Sequence, residues 1–155
     1  MARYEHTQRG KLHLILLAAA ALLLALTLTV EGGSTPVYAL LLGAVVLFVG
    51  LAGSFTRLTV TEHADHLRVT FGPLPLAARR LVFADVRSVR VARSALIDGW
   101  GIHWIPGRGW TWNLWGFDCV EIEFRDGKGL RLGTDDAPRL AALLNERAGD
   151  ARASA

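Results

Sequence analysis

The sequence predicts a membrane-anchored α+β protein, in which two apolar helices precede a small domain of short strands and one closing helix. Three observations support this class. The chain of 155 residues is 52% hydrophobic, and two long runs near its N-terminus carry no formal charge. After these runs, apolar and polar residues alternate over short segments bounded by turn residues. Near the C-terminus, leucines recur at helical spacing.

The two uncharged runs, residues 12–30 and 37–53, are long enough to cross a bilayer. At 1.5 Å per residue they reach about 25–28 Å, close to the roughly 30 Å hydrocarbon core. A cleaved signal peptide is the rival interpretation of the first run, because Arg9 and Lys11 precede it. That run is long for a signal sequence, and the second run follows at once. We therefore predict two transmembrane helices joined by an extracytoplasmic loop, residues 31–36, whose glycines and proline suit a tight turn.

The distribution of Lys and Arg predicts the orientation. Arg3, Arg9 and Lys11 precede the first helix, the loop has no Lys or Arg, and Arg57 and Arg68 follow the second helix. Because basic residues favour the cytoplasmic side, residues 1–11 form a cytoplasmic N-terminus. We expect a two-pass protein of the plasma (inner) membrane with both termini cytoplasmic.

The soluble part, residues 54–149, consists of short alternating segments. Residues 57–62 and 66–72 flank a short loop, and residues 119–124 and 130–134 flank an Asp-Gly turn; both patterns predict hairpins. Further strands are predicted at residues 79–83, 88–92, 101–105 and 110–115. The order indicates about seven strands. A helix capped by Thr134 or Asp135 then runs to Gly149 and leaves residues 150–155 as a disordered tail.

This order resembles the pleckstrin-homology (PH) fold, in which a seven-stranded, strongly bent barrel is capped at one end by a C-terminal helix. The motifs that carry the resemblance are "FTRLTVTEHADHLRVTFG", "LVFADVRSVRVA", "GWGIHWIPGRGW" and "VEIEFRDGKGLRLGTDDAPRLAALL". Over almost its full length the chain resembles bacterial PH-like membrane proteins with two N-terminal transmembrane helices. The resemblance implies architecture, because such proteins mostly have no assigned activity. Around the first two strands only Arg57 and Arg68 are basic, so inositol-lipid recognition is not implied.

All five tryptophans lie within residues 98–118, around the turn "PGRG" at residues 106–109. A two- or four-residue turn would place Ile105 opposite Trp110 and His103 opposite Trp112. A three-residue loop would instead pair Trp104 with Trp112, and the sequence leaves the register open. In each case one face of the hairpin fills the domain. The other face meets solvent, the membrane interface or a partner.

Three interpretations of this segment compete: aromatic packing within the domain, contact with the membrane, and contact with a protein. We expect a non-enzymatic module that binds or scaffolds a protein partner, or self-associates, through Trp104, Arg108, Trp110, Trp112 and Trp115. The alternative is a lipid-sensing domain that meets anionic headgroups through Arg108 and a basic run. That run comprises Arg79, Arg80, Arg87, Arg90 and Arg93.

Other functional classes lack their ingredients in the sequence. No nucleophile stands beside a plausible base, and no phosphate-binding loop is present. The single cysteine, Cys119, excludes an internal disulfide and a multi-cysteine metal site. The formal charge of +3 is modest, so a nucleic-acid partner is not indicated. We expect no enzymatic activity, no cofactor and no metal, and we expect membrane lipids to contact the transmembrane hairpin.

Overall fold

The computed structural model of the chain describes residues 4–73, 77–95 and 98–153. It is a mixed α+β protein with an N-terminal helix pair, two β-sheets and a C-terminal helix. In chain order the elements are β1 (Glu5–Arg9), α1 (Leu12–Thr29), α2 (Thr35–Ser54), β2 (Arg57–Glu62), β3 (His66–Phe71), β4 (Ala77–Val82), a 3-10 turn (Phe83–Asp85), β5 (Val86–Arg93), β6 (Gly101–Ile105), β7 (Gly109–Asn113), β8 (Asp118–Phe124), β9 (Gly129–Gly133) and α3 (Ala137–Ala153).

Helices α1 and α2 are two candidate membrane spans, which supports a two-pass membrane protein. By length and composition each is able to cross a membrane, and only 11% of the residues in each span are buried. Leu28 and Leu40, for example, are 79% and 73% exposed. A core helix of a soluble protein would bury such side chains. The connector is closed by the Tyr38 hydroxyl, which donates to the Val30 carbonyl at 2.6 Å.

The segment before the first helix forms a strand that the sequence analysis did not predict. β1 pairs antiparallel with β2, with Glu5 opposite Thr61 and Arg9 opposite Arg57. The two candidate spans therefore connect to adjacent ends of one strand pair, because α1 follows β1 and α2 precedes β2. The residues of β1, "EHTQR", show no alternation of apolar and polar side chains. Their pairing therefore depends on the partner strand rather than on burial.

The strands form two open sheets rather than the predicted barrel. The first has the order β1-β2-β3-β4, all antiparallel, and the second has the order β5-β8-β9-β7-β6, in which β7 and β9 run parallel. Strands β1, β4, β5 and β6 are edges, and no ladder joins one described sheet to the other. The described residues contain nine strands rather than about seven: each of the eight predicted segments corresponds to one of β2 to β9, and β1 is additional.

The core lies between the inner faces of the two sheets and against α3. Phe71 from the first sheet, Leu132 from the second and Leu140 and Leu144 from α3 are fully buried. α3 packs on β5, the 3-10 turn and β8. It continues past Gly149, where it was predicted to end, as far as Ala153. Ala151 packs against the core, so part of the predicted tail is ordered by burial.

Candidate functional site

The tryptophan hairpin, β6 and β7, has a register that neither predicted alternative describes. A three-residue loop, Pro106 to Arg108, places Trp104 opposite Trp110 and Ile102 opposite Trp112. Two glycines permit this loop, because Gly107 and Gly109 both have positive φ, at 74° and 86°. A side chain at Gly109 would also collide with the Gly129 backbone of the neighbouring strand β9. The register thus depends on a contact outside the hairpin.

The five tryptophans divide into three environments. Trp104 and Trp110 form an exposed cross-strand pair, 55% and 43% accessible, and Trp104 belongs to the edge strand β6. Trp112 is buried in the core. Trp100 and Trp115 are half-buried and stack on each other, with ring centroids 4.4 Å apart. Hence the structure brings Trp104 and Trp110 together at the surface and separates them from Trp112 and Trp115.

Strand β7 contacts the end of the first sheet that adjoins the helices. The Trp112 ring lies 5.7 Å from Phe71, which in turn lies 5.1 Å from Phe55 at the C-terminus of α2. Just beyond the C-terminal end of β7, the backbone at Gly10, which precedes α1, has no room for a side chain. A Cβ there would be 2.8 Å from Leu114 and from Trp115. The aromatic strand is therefore fixed against both connections to the helix pair.

The predicted tip residue, Arg108, is engaged by a buried carboxylate. Its guanidinium donates at 2.6 Å to Asp98, which is 2% exposed. The other oxygen of Asp98 accepts from Arg131 at 2.9 Å and from the Ala95 N–H at 2.7 Å. Burial alone would raise the pKa of Asp98, but this backbone hydrogen bond and the two arginines outweigh it and hold the pKa below its usual range.

The same network continues across the outer face of the second sheet. Arg131 also donates to Glu121, and Glu121 accepts from Arg90. Burial tends to raise the pKa of Glu121, yet the hydrogen bonds from both arginines bring it below its usual value. A cleft of about 450 Å³ lies over these side chains. Each of its arginines is already bound to a carboxylate, so the cleft offers no unpaired cationic donor among the described residues.

The predicted basic run does not form one surface. Four of its members have acidic partners: Arg80 pairs with Asp65, Arg87 with Glu123, Arg90 with Glu121 and Arg93 with Asp118. Arg79 alone points between the sheets, where its guanidinium lies 5.9 Å from the ring centroids of both Trp112 and Phe124. β4 and β5 belong to different sheets, so the run is divided between them.

Two further reactive side chains, His103 and Cys119, have structural partners. His103 contacts the Asp98 carbonyl, and Cys119 is buried with its thiol accepting from the Ser94 hydroxyl at 3.4 Å. Burial raises the pKa of the Cys119 thiol, which disfavours the reactive thiolate. Within residues 4–73, 77–95 and 98–153, no group of three His, Cys, Asp or Glu side chains is arranged to hold a metal ion.

The sequence analysis did not identify the acidic residues that bind the arginines of these ion-pair networks. Asp98 was not among the predicted site residues, although it organises Arg108 and Arg131. Glu121 and Arg131 did carry a signal, since both take outward positions in a hairpin whose Asp-Gly turn places them opposite each other. Glu62 gave no signal in the sequence. It is 3% exposed, and its partner Arg147 belongs to helix α3, which is distant in the chain.

A scan of protein-family models and a search of curated proteins found no match to this chain.

Proposed function

We propose that this protein is a membrane-anchored, non-enzymatic module whose PH-like domain binds a protein partner at the inner face of a bacterial membrane. The observation that carries the proposal is the exposed Trp104–Trp110 pair, of which Trp104 lies on the edge strand β6. These two large aromatic side chains are 55% and 43% exposed, so packing of the core does not account for them. Tryptophans dominate the energetics of protein interfaces, and an edge strand offers free backbone groups to a partner.

The charges around the pair favour a protein partner over an anionic lipid surface. Arg108 is neutralised by Asp98, and four members of the basic run are paired with carboxylates. A lipid-sensing surface needs cationic groups that are free to meet headgroups. An aromatic patch beside neutralised charges instead matches an interface core, from which unpaired charges are depleted.

Contact with the bilayer is the second candidate, and one observation favours it. The chain of rings from Trp112 through Phe71 to Phe55 ties β7 to the end of α2. Tryptophan concentrates at the level of lipid headgroups. In this alternative the Trp104–Trp110 pair enters the interface beside the helix pair and orients the domain on the membrane.

Photocrosslinking in cells distinguishes these functions. A photoreactive phenylalanine derivative replaces Trp104 in the full chain, with a matched probe at Arg87, which is 66% exposed and lies on the other edge strand of the same sheet. The protein-binding function predicts a discrete protein adduct from position 104 that is absent from position 87. Adducts with lipid alone would overturn it in favour of membrane contact. The same adducts from both positions would contradict the proposal that Trp104 lies in a specific binding surface.

A further inference from the structure

A cleft between β4 and the β8–β9 turn carries features of a second binding site, independent of the Trp104–Trp110 pair. Its volume is about 410 Å³, within the range of small-molecule sites. Four basic and two acidic residues line it together with Val82 and Phe124: Arg79, Arg80, Arg125, Lys128, Asp85 and Asp126.

The ion pairs around this cleft leave two guanidinium groups without an acceptor. Lys128 is bound to Asp126 at 2.6 Å, and Arg80 is bound to Asp65 outside the cleft. Among the residues that the structure describes, the side chains of Arg79 and Arg125 have no hydrogen-bond or ion-pair partner. Arg125 is held instead through its backbone, whose N–H donates to the Asp85 carbonyl at 2.9 Å.

Arg79 is the unusual member, because its guanidinium is half-buried. It lies between the rings of Trp112 and Phe124, 5.9 Å from each centroid. Burial lowers the pKa of the Arg79 guanidinium. Stacking on aromatic rings compensates only part of the cost of withdrawing a charge from water. The Nε1 of Trp112, whose ring Arg79 contacts, is buried without an acceptor in the described structure. One buried donor and one half-buried guanidinium thus lack a protein acceptor at this place.

We propose that this cleft binds an oxyanion, a phosphate or carboxylate group carried by a small solute, with Arg79 as the principal ligand and Arg125 as the second. Arginine presents parallel N–H donors that match such groups in a bidentate manner. An anion at Arg79 supplies the missing acceptor and relieves the cost of its burial. The cleft is larger than a bare anion, so the rest of the solute contacts Val82 and Phe124.

The cleft follows strand β4 away from the helix ends. Ala77 begins β4 opposite Phe71, at the end of the sheet that adjoins the helices. Val82 closes β4 and lines the cleft. At about 3.3 Å per residue, Val82 lies roughly 17 Å farther along the strand. Arg79 itself is two residues from Ala77, about 7 Å along the strand. The cleft therefore extends from Arg79, in the half of β4 nearer the helices, to Val82 at its far end.

The test is a titration of the full chain in phosphatidylcholine nanodiscs with sodium phosphate, read by tryptophan emission, against sodium chloride at matched ionic strength. We expect a saturable change with a midpoint in the millimolar range, about −4 kcal/mol in binding free energy. Arg79→Gln and Arg125→Gln should each raise the midpoint at least about tenfold. Arg87→Gln, in the same predicted basic run but outside the cleft, should leave it unchanged.

Several outcomes would overturn the proposal. One is a phosphate response no larger than that of chloride, and another is a midpoint that neither Arg79→Gln nor Arg125→Gln alters. If Arg79→Gln fails to fold, as judged by circular dichroism, Arg125→Gln on the exposed turn decides the matter. Repeating the experiment with phosphatidylglycerol in the nanodiscs tests the source of the anion. An Arg79-dependent emission change before any phosphate is added would assign the site to a headgroup and refute a soluble ligand.

Discussion

The guanidinium of Arg108 lies 2.6 Å from the carboxylate of Asp98, a residue that is 2% exposed. The most prominent charge on the tryptophan hairpin is thereby turned toward the protein rather than offered to a partner. Asp98 also holds Arg131, which belongs to the neighbouring strand β9. This one carboxylate therefore fixes both the tip of the hairpin and its attachment to the sheet.

Stability should fall in acid because of this carboxylate. The pKa of Asp98 is lower in the folded protein than its usual value. Such a group stabilises the fold above its unfolded pKa of about 3.9, and this stabilisation is lost as the pH falls through the folded pKa. We expect the free energy of unfolding, measured by urea denaturation in detergent, to decrease below about pH 4.

Asp98→Asn should reduce this pH dependence and lower stability at neutral pH by about 2–3 kcal/mol, because Arg131 loses a charged partner. Asp118→Asn, which affects only an exposed pair with Arg93 at 3.4 Å, is the matched control. If the two variants show the same acid dependence as the unmodified chain, Asp98 does not have the role assigned to it.

Two loop glycines should respond differently to alanine. At Gly107, with φ of 74°, a Cβ meets nothing within 4 Å, so only backbone strain of about 1 kcal/mol applies. At Gly109, with φ of 86°, the Cβ also collides with the Gly129 backbone. Gly109→Ala should therefore cost more than Gly107→Ala and separate β7 from β9. Amide hydrogen exchange of β7 measures this, and equal protection in both variants would contradict the assigned register.

The tryptophans should separate into structural and surface residues. Trp112→Ala removes a ring that is 8% exposed and packs on Phe71, so we expect a loss of about 3–5 kcal/mol. Trp104→Ala removes a side chain that is 55% exposed and should change stability by less than about 1 kcal/mol. Thermal unfolding in detergent compares them. A large loss for Trp104→Ala would mean that the exposed pair supports the fold rather than a partner.

Glu62 should be essential for docking the N-terminal strand. It is 3% exposed, accepts the Tyr4 N–H at 2.7 Å, and pairs with Arg147 of α3. Glu62→Ala leaves a buried N–H and an arginine unsatisfied, with an expected cost of about 2–4 kcal/mol. Glu123→Ala, on the exposed face beside Arg87, should cost less than about 1 kcal/mol. Proteolysis near β1 should increase only in the first variant.

Local patterns predicted much of the fold. Uncharged runs predicted α1 and α2, and the alternating segments at residues 57–62 and 119–124 correspond to β2 and β8. The rest depends on contacts distant in sequence. β1 is polar and pairs with β2 across the whole helix pair, and the hairpin register follows from the contact of Gly109 with Gly129. The Arg108–Asp98 pair has no spacing signal, because a loop rather than a helix or strand brings its members together.

Strands β1 and β2 are adjacent in one sheet, yet the entire helix pair lies between them in the chain. In a bilayer this gives the domain two rigid attachments in place of a single tether. A domain on one linker can rotate and tilt freely. A domain attached at both Gly10 and Phe55 has its rotation and tilt relative to the membrane set by the helices. The edge strand β6 would then keep a constant orientation relative to the helix pair. Lateral encounters with neighbouring membrane proteins would occur in two dimensions and in a preset orientation, which lowers the entropic cost of association.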